Sequence, residues 1–269
     1  MTRSEAIDYG RQTVLVTGAS AGIGRELARR LAARGSGLVL VARRRERLEE
    51  LAAELRQTHG VAVTTLVRDL ARPGVGQALV RDLAGVEVTS VVNNAGFANL
   101  GPFHRAPLDD LMAEVALDVS AVVEICHAFL PALRERGDGF LVNIASMAAY
   151  QASPTMAVYG ASKAFVLSLT EALWFEARGT GLRVLAVSPG ATQTEFFDVA
   201  GEGAGGGSRR MPPGEVATTV LRTLERRRPP ASVVVGRGNR LSAAGVRVLG
   251  RRRSAELVGR MMSRSAREG

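Results

Sequence analysis

The chain has little lysine, cysteine, histidine or aromatic content, and each shortage narrows what it can be. Of its 35 basic residues all but one are arginine, and the exception is Lys163. A single cysteine, Cys126, excludes an intrachain disulfide and suits a reducing cytosol, so a cytoplasmic location is expected. His59, His104 and His127 are scattered, and Cys126 and His127 are adjacent and would face different sides of a helix, so no metal site is expected. No uninterrupted apolar run approaches the ~18 residues of a membrane span. Met1 to Asp8 lacks the apolar stretch of a secretory signal. With 46% hydrophobic and 4% aromatic residues over 269 positions, the composition is that of a globular α/β protein able to bury a sizeable core.

The net charge of +9 is unevenly placed. From Arg237 to Gly269 there are nine arginines against Glu256 and Glu268, which leaves the rest of the chain nearly neutral. Any attraction to an anionic surface therefore belongs to this tail, and no nucleic-acid partner is expected for the body.

What is present centres on Tyr159-Gly-Ala-Ser-Lys163, where the only lysine lies four residues after one of only three tyrosines. On a helix these positions share a face, so phenol and ammonium can meet. An ammonium beside a phenol stabilises phenolate and is expected to lower the Tyr159 pKa toward neutrality, which would make it a usable general acid or base. The plain alternative is a surface helix whose lysine happens to lie near a tyrosine.

Upstream, Thr13 to Thr17 reads as a short buried strand. It runs into Gly18-Ala-Ser20-Ala-Gly22-Ile23-Gly24 and then a helical pattern. A strand, a glycine-rich turn and a helix N-terminus together make a phosphate cradle, because free N–H groups face the anion and the glycines let it approach. The next strand, Leu38 to Ala42, ends in Arg43-Arg44-Arg45. With no carboxylate there for a ribose 2′-hydroxyl, Arg43 is positioned for a 2′-phosphate, which favours NADP(H) over NAD(H). Arg45 and Arg47, with Arg44, could equally be the solvated start of a helix.

Strands and helices go on alternating: a helix over 46–57, a strand over 62–67, and a helix over 75–83. Ser90 to Val92 and Asn93-Asn94-Ala95-Gly96 follow, then a long helix over 108–136, a strand over 139–145 ending at Ser146, the Tyr159 helix and a strand over 182–187. Near-continuous apolar strands alternating with helices predict a Rossmann-type doubly wound parallel sheet with helices on both faces. Residues 1–236 would form the one nucleotide-binding domain, with a flexible lid segment near 195–213 containing the glycine-rich run 201–207. Residues 237–269 would form a basic helical extension.

Gly18, Gly22 and Gly24, Asn93 to Gly96, Ser146, Tyr159 with Lys163, and Pro189-Gly190 with Thr194 occur together in the order and spacing of short-chain dehydrogenases/reductases, and the chain resembles that family over roughly residues 12–197. The resemblance implies an NADP(H)-dependent oxidoreductase that reduces a ketone or aldehyde, and a homo-oligomer, dimer or tetramer. It assigns Ser20, Ile23, Ala95, Thr192 and Thr194 to cofactor contacts, Asp69 to the adenine and Asn93 to the cofactor floor. Tyr159 would donate a proton to the substrate oxygen, Ser146 would hold that oxygen, and Lys163 would bond the nicotinamide ribose. Relatives usually carry an Asn that links this lysine to solvent through water, whereas the matching position here is Asp118. Either the relay tolerates the carboxylate, or activity is retuned by it.

Phe97, Leu100, Phe103, Gln151, Met156, Phe196 and Phe197 are expected around the substrate, and their apolar character suits a lipophilic carbonyl compound such as an oxoacyl or secondary-metabolite ketone. Three readings of the tail compete: a helix packed on the domain or a neighbouring subunit, weak contact with a membrane surface, or contact with an anion or nucleic acid. The competing class for the whole chain is a noncatalytic NADP-binding regulator, or a peripheral membrane- or nucleic-acid-associated member of the family.

Overall fold

The computed structural model describes residues 6–197 and 209–268. Its centre is a parallel sheet of β1 (Thr13–Thr17), β2 (Gly37–Ala42), β3 (Val63–Val67), β4 (Ser90–Asn93), β5 (Phe140–Ile144), β6 (Arg183–Ser188) and β7 (Ser232–Val234). These pair in the order β3-β2-β1-β4-β5-β6-β7. Strand order reverses between β1 and β4, so the loops leaving them diverge and open a crevice at the strands' C-terminal ends, where such sheets bind ligands. Apolar residues fill both faces of the central strands. Val14, Leu15 and Val16 are fully buried, as are Leu141 and Val142 or nearly so. That continuity is why the strands read as unbroken apolar runs.

Two helical layers cover the sheet. One face carries α1 (Gly22–Ala32), α2 (Arg45–His59) and α7 (Pro213–Leu224), whose Leu27, Leu31, Leu51 and Val220 share one core with Val14 and Leu40. Against the other face lie α3 (Val75–Asp82), α5 (Ala121–Arg136) and α6 (Ala157–Glu176), whose Leu79, Ile125 and Val166 pack on Leu15 and Leu141. The helical stretch 108–136 is long and apolar enough to cross a membrane. Here its Ile125, Phe129 and Leu133 are buried against the sheet.

The predicted long helix over 108–136 is instead three pieces: α4 (Leu108–Val115), one π-helical segment (Ala116–Ser120) and α5. The wider turn inserts where Asp118 points into the protein, and such single π turns recur at functional sites. A buried polar ladder fixes the neighbouring elements. Asn93 Nδ2 donates to Asn143 Oδ1 at 2.9 Å, and Asn143 Nδ2 donates to Thr170 Oγ1 at 2.9 Å, joining β4, β5 and α6. Each bond is shielded from water, so the helix carrying Tyr159 is held in register with β5 and Ser146.

The tail folds into α8 (Arg237–Leu249) and α9 (Arg251–Glu268), separated at Gly250. Of the three readings, the structure shows packing on the chain's own body. Ala243 and Ser254 are buried, and Gly259 lies against the ring of Pro154. The glycine run 201–207 lies outside the described residues.

Candidate active site

A cleft of about 750 Å³ runs from the glycine-rich turn to the tail helices. At its near end, β1 delivers Gly18 and Gly22, both in the left-handed region at φ 65° and 53°. A Cβ on Gly22 would stand 2.7 Å from Thr194 Cγ2, so only glycine lets this turn close on the segment after β6. The first turn of α1 has no side-chain cap, which leaves its N–H groups directed at the cleft. A cradle without side chains beside an uncapped helix N-terminus fits a dinucleotide pyrophosphate.

Most of the residues assigned to the cofactor line this cleft: Gly18, Ser20, Gly22, Ile23, Arg43, Ala95, Gly96, Pro189, Gly190, Thr192 and Thr194. Arg43 is exposed and makes no hydrogen bond or ion pair among the described residues. Gly24, Asp69 and Asn93 do not line it. Gly24 is buried behind the turn, and Asp69 accepts from Ala71 N and pairs with Arg72 at 3.5 Å. Asn93 lies beneath the floor in the polar ladder, and the cleft wall is formed by Asn94, whose Nδ2 donates to Thr17 O at 2.9 Å.

Arg44 and Arg47 are not simply a solvated helix start. Arg44 lies 2.7 Å from Glu195 and donates to Ser20 Oγ at 3.0 Å, and Arg47 pairs with the same carboxylate. Burial acts against the Glu195 charge, yet hydrogen bonds from Arg47 and Arg44 hold its pKa below the usual range. The three side chains join the start of α2 to the segment after β6 along the cleft rim.

At the centre stand Ser146, Tyr159 and Lys163. Ser146 follows β5 and caps a short 3-10 turn, its Oγ accepting from Ala148 N at 3.1 Å while it also hydrogen-bonds Tyr159. The Lys163 ammonium lies 5.5 Å from the Tyr159 ring centre. The expectation of a Tyr159 pKa lowered toward neutrality is corrected. Burial pushes it above the ordinary phenol value, against the pull of Lys163 and Ser146, and the Asp118 and Glu114 charges add to the rise. The phenol is therefore protonated at neutral pH, the state needed to donate a proton.

Asp118 is fully buried behind the cleft and touches Lys163 directly, Oδ2 to Nζ at 3.0 Å, with no room left for an intervening water. Its Oδ1 accepts from Phe97 N at 3.1 Å. Desolvation raises the Asp118 pKa, with Lys163 opposing. Burial disfavours the Lys163 charge, but Asp118 and then Tyr159 outweigh it and leave the lysine pKa raised. Gly96 presses on this pair, and a Cβ there would lie 2.9 Å from both Asp118 Oδ1 and Lys163 Nζ. Gly96→Ala is expected to displace the ammonium and lower kcat by up to about a hundredfold, the cost of misplacing a reacting group by ~1 Å. Measured kinetics within twofold of wild type would contradict that.

Phe97, Gln151, Met156 and Phe196 all border the far end, where the Phe196 ring lies 5.3 Å from Tyr159. Leu100 and Phe103 do not, and both are exposed. Sequence reasoning missed the tail's contribution: Ser242, Val246, Leu249, Leu257 and Val258 close this end of the cleft. Only the apolar stripe among the tail arginines hinted at a buried face.

A model of the short chain dehydrogenase family matches residues 12–204. Sulfoacetaldehyde reductase 2 of Chromohalobacter salexigens is 43% identical over 187 residues, which cover 68% of this chain and 73% of that protein. A short-chain dehydrogenase from Sphingobium yanoikuyae, solved in complex with NADPH, matches with a TM-score of 0.79 at 36% identity over 88% of this chain and 93% of that one. A structure concerned with 7beta-hydroxysteroid dehydrogenase stereoselectivity matches with a TM-score of 0.83 at 26% identity over 98% of this chain and 100% of its own, tail helices included.

Proposed function

The chain belongs to the short chain dehydrogenase family, and on that premise we propose that it is an NADPH-dependent reductase of a lipophilic ketone or aldehyde, with alcohol oxidation as the reverse reaction. The observation that carries this reading is the convergence of Ser146, Tyr159 and Lys163 on one point of a cleft that starts at an anion cradle. Arg43 and the NADPH complex of the Sphingobium relative support NADP(H) as cofactor. The single buried thiol, Cys126, suits a cytosolic setting.

NADPH, once bound, supplies the hydride for the carbonyl carbon. The chain's own residues handle the oxygen. As negative charge grows there, the Tyr159 hydroxyl donates its proton and the Ser146 hydroxyl fixes the oxygen's position. Lys163, kept cationic by Asp118, stabilises the phenolate that results. Gly18, Gly22 and the open N-terminus of α1 would hold the pyrophosphate, and Arg43 the 2′-phosphate.

The far end is walled by Phe97, Met156, Phe196, Val246, Leu249 and Val258, an apolar lining suited to a lipophilic body. A second reading, a short anionic aldehyde, has Arg209 on the wall in its favour and the name of the Chromohalobacter relative beside it. NADPH oxidation against a carbonyl panel spanning both classes decides between them. No turnover on any member, with NADPH bound, would instead leave a noncatalytic NADP-binding protein.

Arg43→Asp tests the cofactor assignment. Loss of a charge-assisted bond of roughly 1.5–3 kcal/mol should weaken NADPH by about 10- to 150-fold while NADH changes little or improves. Equal weakening of both would remove Arg43 from the 2′-phosphate site.

A further inference from the structure

Packing on the body accounts for only one face of the tail. Ala243 and Ser254 are buried and Val258 packs against Ala98 and Met156, but each tail helix shows a second stripe to solvent. On α8 it runs Arg237, Leu241, Gly245, Leu249 at four-residue spacing, all exposed. On α9 it is Arg253, Leu257 and Arg260, one turn apart and again exposed. Leu241 is 77% exposed, Leu257 49% and Leu249 42%, so three leucines stand in water along adjoining helices. A run of this kind marks an interaction surface more often than a scatter of single leucines does. It also belongs to the cleft: Gly245, Leu249 and Leu257 line it, with Val246 and Val258. The wall of the cleft therefore runs out through Leu249 and Leu257 onto the outer surface of the tail.

Charge decides what this surface meets. Arg237, Arg240, Arg251, Arg252, Arg253 and Arg260 are exposed on the same two helices, and the one acid in that stretch, Glu256, is paired with Arg252 at 2.9 Å. The first turn of α9 carries three arginines and no acid, the reverse of what a helix N-terminus favours. Those cations repel the helix dipole and one another, and an anionic surface relieves both. Leucines flanked by arginines match the interface of an anionic bilayer, where apolar side chains enter the acyl boundary and guanidinium groups meet phosphates. A nucleic acid would use the arginines and leave the leucines in water. A second copy docked symmetrically would set the arginines against one another.

We propose that the outer face of α8 and α9 seats on an anionic lipid bilayer with the mouth of the cleft against the membrane, so that a lipophilic carbonyl compound passes from lipid into the cleft. The seating stands on the tail alone, and the passage of substrate rests on the lipophilic-substrate reading above.

Vesicle sedimentation tests the seating without turnover. The protein should bind vesicles of phosphatidylglycerol and phosphatidylcholine in equal parts and bind phosphatidylcholine alone about tenfold or more weakly. Salt should release it as the Debye length falls from about 10 Å at 0.1 M to about 3 Å at 1 M. Each arginine near the surface contributes about fivefold, so Arg251→Glu/Arg253→Glu should weaken binding by about 25-fold or more. The new acids suit a helix N-terminus and neither position lines the cleft, so NADPH affinity and reduction of a water-soluble aldehyde should hold. Leu241→Ser, also outside the cleft, should cost up to about tenfold through lost apolar contact. Equal binding to both lipids, tighter binding to a nucleic-acid duplex than to anionic vesicles at the same salt, or a subunit number that Leu241→Ser changes without any vesicle binding would each overturn the seating. For a long-chain ketone carried in the anionic vesicles, KM should rise in the double variant by the factor that binding loses, while kcat holds. An unchanged KM would overturn passage from lipid. Vesicle binding by a protein that reduces no carbonyl compound would support the seating and count against the reductase reading alone.

Discussion

Tyr159→Phe is expected to lower kcat for carbonyl reduction by about 10²- to 10⁴-fold, the range for removing a positioned general acid, while NADPH still binds. The substitution deletes only the hydroxyl. The ring that packs on Phe196 and lies beside Lys163 stays, so the cleft should keep its shape. Wild-type reduction should persist through neutral pH, because burial holds the phenol protonated, and it should vanish only where the phenol itself ionises. Alcohol oxidation, which needs the phenolate as base, should rise over that same alkaline window. Stopped-flow hydride transfer and NADPH titration together separate chemistry from binding. A variant within tenfold of wild type would mean that another group protonates the oxygen, and the proposed reaction would lose its acid. Ser146→Ala should cost less, since it removes an orienting bond and leaves the proton donor in place.

Much of this site could be read before any coordinates. The glycine spacing after β1, the serine at the end of β5 and the tyrosine–lysine pair all depend on neighbours within one strand–turn–helix unit, where period and turn chemistry act locally. The parallel sheet followed for the same reason, as strands such as Leu38 to Ala42 carry no polar face. What stayed hidden depends on distant segments. Glu195 meets Arg47 across 148 positions, and no local pattern announces that contact. The tail's place over the cleft brings Val258 against Ala98 and Met156, residues far from it in sequence. The π turn at Ala116–Ser120 was invisible because its residues continue an ordinary helical pattern. Glu114 was not singled out, because a helical position carries no local sign of depth, and its full burial beside Asn99 emerges only in the fold. The sign of the Tyr159 shift was missed for a related reason. Spacing brings the ammonium to the phenol but says nothing about how far the two are withdrawn from water, and burial won.

Lys163→Met tests the ion pair that the reaction depends on, through stability rather than turnover. Removing one partner of a buried pair leaves the other uncompensated and typically costs about 3–5 kcal/mol. Here Asp118 would be stranded, fully buried, with only neutral partners, the Phe97 N–H and Ser162, left beside it. The pH dependence follows from the direction of its shift. Burial already raises Asp118, and without the opposing ammonium its folded pKa climbs further above the unfolded value of about 3.9. Below that unfolded value the carboxyl is protonated in both states and costs little. As pH rises the unfolded chain ionises first, so the deficit grows at up to roughly 1.4 kcal/mol per pH unit until the folded pKa is passed. Urea unfolding at acid and neutral pH should therefore show Lys163→Met close to wild type at the first and far below it at the second. Lys163→Met/Asp118→Asn should recover most of the loss at neutral pH, because the amide carries no charge to strand. Equal deficits at both values, or no rescue by the second substitution, would mean that lost packing of the lysine stem is responsible and that the carboxylate is not held by the ammonium. Asp118→Asn alone leaves Lys163 buried beside a neutral amide, so it should cost stability at acid and neutral pH alike, without the pH dependence of Lys163→Met.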